Sequence, residues 1–286
     1  MTIYLGPNRY GKAETRVVRV TRDGARHAVT DLNVSVALTG DFAGTHLTGD
    51  NTGLLTTDAQ KNTVYAFARE HGIASAEAFA LRLARHFTGH PSVSRARVQV
   101  EAYAWDRLGD HSFARRGQEV RTATAVREGD AEWLVCGLRD LVVANTTDSE
   151  FWGYDKDRYT TLPETRDRIL ATAVDARWRH LSAGDGTDWD ASYDGTRQAL
   201  LDAFTGTYSY SLQQTLYAMG RTALEKRPEL AEVRLSLPNK HHFLVDLAPF
   251  GLDNPDEVYV AADRPYGLIE GTVLREGAPD AGPAWE

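Results

Sequence analysis

AETRVVRVTR at residues 13–22 and LNVSVAL at residues 32–38 are the stretches from which the fold of this chain can be read. In the second run apolar residues alternate with small or polar ones, the period of a half-buried strand. Val17, Val18 and Val20 make the first run a strand as well, and Arg22-Asp-Gly-Ala25 supplies an Asp-Gly turn, so the two form an antiparallel hairpin. After a polar, Gly-rich segment at 39–53 the period becomes helical. One helix is predicted over about 57–72 and another over about 75–88, where Phe79, Leu83 and Phe87 recur every four residues. Gly72 separates them and Ser75 is placed to cap the second. Strands follow at 95–105, with Val98, Val100, Ala102 and Ala104 in alternation, and at 113–127.

The same order then recurs. Strands are predicted at 131–145 and 168–180, helices at about 194–205 and 211–226, and strands at 231–246 and 257–274. Leu212, Leu216 and Met219 share a helix face, Pro228 stops that helix, and Val233, Leu235 and Leu237 alternate. Four strands and two helices per half imply an α+β fold, antiparallel sheets with helices on one face. The boundary is placed in Arg127-Glu-Gly-Asp130, giving halves of 1–129 and 130–286, with an acidic loop at 182–190 and a mobile tail after Gly277.

Composition bounds the function. Forty acidic residues against 32 basic ones give 32 − 40 = −8, which speaks against a nucleic-acid-coating protein. A 42% apolar content with six Trp, twelve Tyr and nine Phe suffices for a large core. Cys136 is the single cysteine, so an intramolecular disulfide framework is excluded. No apolar run has the length of a membrane span, and the first residues lack a signal-peptide pattern. A cytoplasmic protein is the expectation.

Among motifs, Gly6-Pro-Asn-Arg-Tyr-Gly11-Lys12 nearly matches a phosphate-binding loop. It fails because Ala13 replaces the metal-binding hydroxyl and a strand follows instead of a helix. His241 and His242 are adjacent, so a strand would turn them to opposite sides, which argues against a metal site from this pair. Pro238 suits a central strand poorly, and Pro238–His242 is read as a loop or bulge that presents side chains. Thr57-Asp-Ala-Gln60 and Ser211-Leu-Gln-Gln214 both fit a capping box, and free amides at such helix starts attract anions. Phe151 lies in an aromatic-rich segment, and Arg168 is a natural bidentate partner for a planar anion.

Jointly these residues resemble the uricase (urate oxidase) family. The matching stretches are Tyr10-Gly-Lys12, Thr57-Asp58 with Lys61-Asn-Thr63, Phe151-Trp-Gly153, Tyr159-Thr-Thr-Leu162 with Arg168, Ser211-Leu-Gln213, Leu237-Pro-Asn-Lys-His241 and Pro265-Tyr-Gly-Leu-Ile269. The resemblance implies two tandem tunnelling-fold (T-fold) repeats, assembled as a barrel-like homotetramer with active sites between subunits. It implies oxidation of urate by O₂ and water to 5-hydroxyisourate and hydrogen peroxide, with no metal and no organic cofactor. By the same resemblance Phe151 stacks on the purine, while Arg168 and Gln213 clamp one edge. The backbone N–H groups of Asp58 and Leu212, each taken as the first residue after its cap, bind the opposite edges. Lys12, Thr57 and His241 form a proton relay, His241 coming from the other subunit, and Asn239 with Thr57 holds O₂ or water.

The chemistry is plausible on general grounds, because a deprotonated urate is electron-rich enough to reduce O₂ itself. The protein then needs only to deprotonate, position and exclude water. Two competing readings are a zinc-dependent T-fold hydrolase of purines or pterins, which would need Cys136 and several histidines to converge, and a non-catalytic purine binder. The chain ends Pro-Ala-Trp-Glu286 rather than in a Ser-Lys-Leu-type peroxisomal tripeptide, as a bacterial member would.

Overall fold

The hairpin that opens the fold is longer than its sequence pattern. In the computed structural model, which describes residues 2–262 and 264–286, β1 (Tyr10–Asp23) pairs antiparallel with β2 (Arg26–Gly40). Gly24 holds the two-residue turn at φ +56°, a conformation that favours glycine. A short helix, α1 (Ala43–Leu47), interrupts the polar segment, and α2 (Thr57–Glu70) and α3 (Ala76–Thr88) follow where the helical period appears. Ser75 caps α3 as predicted, accepting the Ala78 N–H at 3.1 Å.

β3 (Val93–Tyr103) then precedes a small ribbon of β4 (Trp105–Arg107) and β5 (Phe113–Arg115), and β6 (Val120–Glu128) returns to the sheet. The single strand predicted at 113–127 is therefore two. Gly117 and Gln118 interrupt it, in a segment with neither the alternation nor the branching of a strand. In the second half come β7 (Ala131–Asn145), β8 (Leu170–His180), α4 (Trp189–Gly206), α5 (Leu212–Lys226), β9 (Leu230–Pro238), β10 (His241–Leu244), β11 (Tyr259–Ala262) and β12 (Leu268–Leu274). The predicted strand at 231–246 breaks after Pro238, and that at 257–274 divides into β11 and β12; Asp263, within the latter range, lies outside the described residues.

One antiparallel sheet runs through the whole chain in the order β1-β2-β3-β6-β7-β8-β9-β12, with β10-β11 as a separate ribbon. The turn at Gly129 joins β6 to β7, so the sheet is continuous across residues 127–130. Both helix pairs lie on one face of this sheet: α2 and α3 against β1, β3 and β6, α4 and α5 against β7, β9 and β12. Phe79, Leu83 and Phe87 of α3, with Leu212, Leu216 and Met219 of α5, are buried against the alternating valines and leucines of the strands.

The two halves also share a device that composition does not reveal. Each opens with a hairpin carrying a one-residue bulge, between Lys12 and Thr15 on β1 and between Leu138 and Leu141 on β7. The bulged residues Glu14 (φ +55°) and Asp140 (φ +60°) each donate an N–H at 2.9 Å across the hairpin, to Ser35 Oγ and Asp175 Oδ1.

Two expectations at the loops change. α4 begins at Trp189, five residues before the predicted start, because Asp188 accepts the Ala191 N–H at 3.0 Å and caps it. The 182–190 segment thereby gains a role: Asp185 pairs with Arg85 of α3, and Asp190 with Arg121 of β6, both at 2.7 Å. It ties the second half to the first. The tail after Gly277 is packed rather than mobile. Pro283 and Ala284 are buried, the Trp285 indole donates to Glu232 at 3.2 Å, and the Arg234 guanidinium lies 3.8 Å from its ring.

Candidate active site

The predicted site residues fall into two groups. Lys12, Thr57 and Asp58 form the first. Lys12 is half-buried on β1, immediately before the bulge, where Gly11 lets the hairpin close: a Cβ there would sit 1.8 Å from the Val36 carbonyl oxygen. The Lys12 ammonium is near enough to Asp58 to help hold its carboxyl below the usual range, after the larger effect of Lys61, which bonds Asp58 at 2.6 Å. Asn62 donates to the other Asp58 oxygen at 2.9 Å. Asp58 thus spends its side chain along its own helix, and what remains to offer a ligand is its backbone N–H.

The cap of α2 is Thr56, one residue earlier than the sequence pattern implied. Thr56 Oγ1 accepts the Ala59 N–H at 3.0 Å, and its carbonyl accepts from Gln60. Gln60 is fully buried and donates to the Leu55 carbonyl instead of closing a capping box. Thr57 is therefore the first helical residue and Asp58 the second, so the hydroxyl of Thr57 is not used in capping.

Phe151, Arg168, Leu212, Gln213, Asn239 and His241 form the second group. Ser211 caps α5 as predicted, accepting the Gln214 N–H at 3.1 Å, while the Gln214 side-chain Oε1 accepts from the Tyr210 N–H at 2.8 Å. Leu212 is buried, and the Gln213 side chain is exposed at the helix start. Phe151 and Thr165 exchange two backbone hydrogen bonds, at 2.9 and 3.0 Å, which brings Arg168 beside Phe151 with its guanidinium 5.1 Å from the ring centre. Tyr154 stacks on Phe151 at 5.0 Å, leaving at most one face of that ring for a planar ligand. Burial lowers the pKa of Arg168, and no carboxylate pairs with it among the described residues. An unopposed, half-buried guanidinium is a strong attractor for an anion.

Asn239 sits where the chain leaves the sheet. Its N–H donates to Gly267 and that of Lys240 to Ala171, both at 2.8 Å. The reading of Pro238–His242 as a loop is corrected in part: His241 and His242 belong to β10, paired with Ala262 and Ala261. They do face opposite sides, His241 stacking on Phe243 two residues on and His242 bonding the Lys240 carbonyl oxygen at 3.0 Å.

The two groups do not meet within one chain. β1 is the first strand of the sheet and β8 the sixth, so they lie five spacings apart, roughly 24 Å along the sheet. A cavity of about 740 Å³ on the helix-free face, lined among others by Glu14, Arg97, Glu101, Arg139, Asp175 and Arg177, contains none of the predicted residues. Its acidic and basic lining residues are balanced, so it offers an anion no net attraction. Cys136 is buried in β7, and no group of three or more His, Cys, Asp or Glu suited to a metal is found among the described residues. No described helix is long and apolar enough to cross a membrane.

Comparison with known proteins explains the doubled architecture. The uricase family model matches residues 8–131 and again 134–270. The chain belongs to the uricase family. It is 53% identical to a uricase from Arthrobacter globiformis, covering 99% of this chain and 94% of the relative, and 36% identical to one from Danio rerio over 93% of each. The crystal structure of the Arthrobacter uricase superposes with a TM-score of 0.95, covering 100% of this chain and 99% of that one. A uricase from Bacillus fastidious, at 24% identity and a TM-score of 0.81, shares the fold over 93% of each chain. The uricase chain here is thus two tandem T-fold repeats, each with a helix pair on one face of the sheet.

Sequence pattern does not single out the hydroxyl residues beside the two candidate groups: Thr56 at the start of α2, Ser149 against Arg168, and Ser209 and Thr215 at the start of α5. Thr56 was hidden by its neighbour, since Thr57 followed by Gln60 is the better match to a capping box. Ser149, Ser209 and Thr215 carry no sequence signal, because a buried serine or threonine has no periodicity of its own.

Proposed function

We propose that the chain oxidises urate with O₂ and water to 5-hydroxyisourate and hydrogen peroxide, at sites completed between subunits of a homotetramer in the cytoplasm. The full-length 53% identity to the Arthrobacter uricase carries this reading. The division of the candidate residues into two distant groups supports sharing, since Lys12, Thr57 and Asp58 of one subunit would complete Phe151, Arg168, Leu212, Gln213, Asn239 and His241 of another.

In this reading the urate anion stacks on Phe151 and is held at one edge by the Arg168 fork and the Gln213 amide. The N–H groups of Asp58 and Leu212, at the starts of α2 and α5, take the other edges. Lys12 receives a proton through Thr57, and His241 serves the opposite end of the relay. Asn239 and Thr57 hold O₂, then the attacking water, above the ring. Urate loses two electrons and O₂ gains them with two protons, leaving as peroxide, while water supplies the new hydroxyl. The electrons come from urate itself, so the reading calls on neither metal nor organic cofactor.

The test is loss of urate absorbance under air, followed with oxygen uptake and peroxide. One O₂ consumed and one peroxide formed per urate is the expected result. Urate binding without oxygen uptake would instead indicate a purine binder.

A further inference from the structure

Arg168 is anchored by a hydroxyl. Its Nε donates to Ser149 Oγ at 3.2 Å, and no carboxylate competes for the two terminal nitrogens among the described residues. Ser149 is fully buried, at 0% exposure, and lies beside Ser209, at 1%. Their backbones form a parallel bridge: the Ser209 N–H donates to the Asp148 carbonyl at 2.9 Å, and the Glu150 N–H to the Ser209 carbonyl at 2.7 Å. Ser209 Oγ then donates to the carbonyl of Ser211, the cap of α5, at 3.0 Å. Thr215, also at 0% exposure and one turn into α5, donates to Ser209 Oγ at 2.8 Å. Polar contacts, joined through the Asp148–Glu150 main chain that flanks Ser149, thus run from the Arg168 guanidinium to the first turn of α5.

We propose that Ser149 is a positioning residue for the oxidation, fixing Arg168 relative to the α5 start so that the guanidinium fork, the Leu212 N–H and the Gln213 amide span one purine. The proposal rests on the reading of Arg168 as the substrate clamp. Its chemistry requires a neutral acceptor. A carboxylate at this position would neutralise the guanidinium and compete with an anionic substrate, whereas a hydroxyl orients it through Nε and leaves both terminal nitrogens for the ligand. Because the hydroxyls are buried, losing one leaves a partner unsatisfied and lets the arginine change rotamer. Such a residue acts on binding and alignment, without touching the reacting atoms.

The test compares Ser149→Ala, Thr215→Val and Arg168→Lys in the full assembled enzyme. Readouts are KM and kcat for urate, Kd for xanthine, which keeps the pyrimidinedione ring and lacks the 8-oxo group, and thermal midpoint. Ser149→Ala is expected to raise KM and the xanthine Kd about tenfold while kcat stays within about twofold. Thr215→Val, which keeps the shape and removes only the hydroxyl, is expected to raise both about threefold, and it carries the test should Ser149→Ala fail to fold. Lowered thermal midpoints with wild-type KM and Kd in the serine and threonine variants, while Arg168→Lys binds weakly, would overturn the positioning role. Wild-type xanthine binding in Arg168→Lys would overturn the clamp beneath it.

Discussion

Thr56 Oγ1 accepts the Ala59 N–H at 3.0 Å, so the residue that secures the start of α2 is the neighbour of the residue assigned to the proton relay. Two adjacent threonines with the same side chain should therefore fail in different ways. Thr56→Ala removes a cap and should lower stability by about 1 kcal/mol, with kcat largely retained. Thr57→Ala should leave the thermal midpoint nearly unchanged and lower kcat by about 100-fold or more with a modest change in KM. Lys12→Met should follow Thr57→Ala. Steady-state kinetics beside thermal unfolding separates the pair, and wild-type kcat in Thr57→Ala would remove it from the relay.

How the fold was legible follows from which signals are local. Hydrophobic period marked β1, β2, α2, α3, β7 and β8, because alternation or four-residue recurrence over many positions averages out single ambiguities. It did not mark the break at Asn239, where the chain changes partners from the sheet to a ribbon, since strand propensity continues through His241 to Leu244. The packed tail was illegible for a different reason. Gly277, Pro279 and Gly282 look like a linker, and the order comes from Trp285 meeting Arg234 and Glu232 far away in sequence. At the site, Arg168 and the α5 cap were readable by residue type and motif resemblance, but the Ser149 anchor is purely tertiary.

A shared site should show complementation. Thr57→Ala damages one half of each site and Arg168→Ala the other, and each alone should be nearly inactive. Co-assembled at random in equal amounts, about one site in four would draw Thr57 from one intact copy and Arg168 from the other. Mixed assemblies should thus recover about a quarter of wild-type activity. No recovery from mixed assemblies verified by mass would place all these residues on one subunit. Dilution that dissociates the assembly should likewise abolish activity.

Glu77 is fully buried at the start of α3 and is gripped by Arg121 of β6 through contacts of 3.0 and 2.7 Å; Arg121 also holds Asp190 at the start of α4. Removing one partner of a buried pair strands the other. Glu77→Ala should lower stability by about 3–5 kcal/mol, measured by urea unfolding. Asp190→Asn touches the exposed end of the same network and should change it by about 1 kcal/mol or less. Similar small effects for both would mean that Arg121 finds water on losing Glu77.

His180 gives the fold its clearest pH dependence. The ring is buried edge-on to Trp189 at 5.1 Å, and its Nε2 has no partner among the described residues. Burial lowers its pKa to about 4; Glu229 acts in the opposite direction, and Arg227 adds slightly to the lowering. The unfolded chain, with an ordinary histidine near 6.5, therefore binds a proton that the folded chain refuses between about pH 6.5 and 4. Stability is unaffected by this group above 6.5 and falls as the pH drops through that window, by roughly 3 kcal/mol in all. His180→Leu removes the titration, so the difference in unfolding free energy between wild type and variant should shift in favour of the variant as pH falls from 7 to 4.5. A difference that stays constant across that range would show that His180 takes up its proton in the folded state as readily as in water.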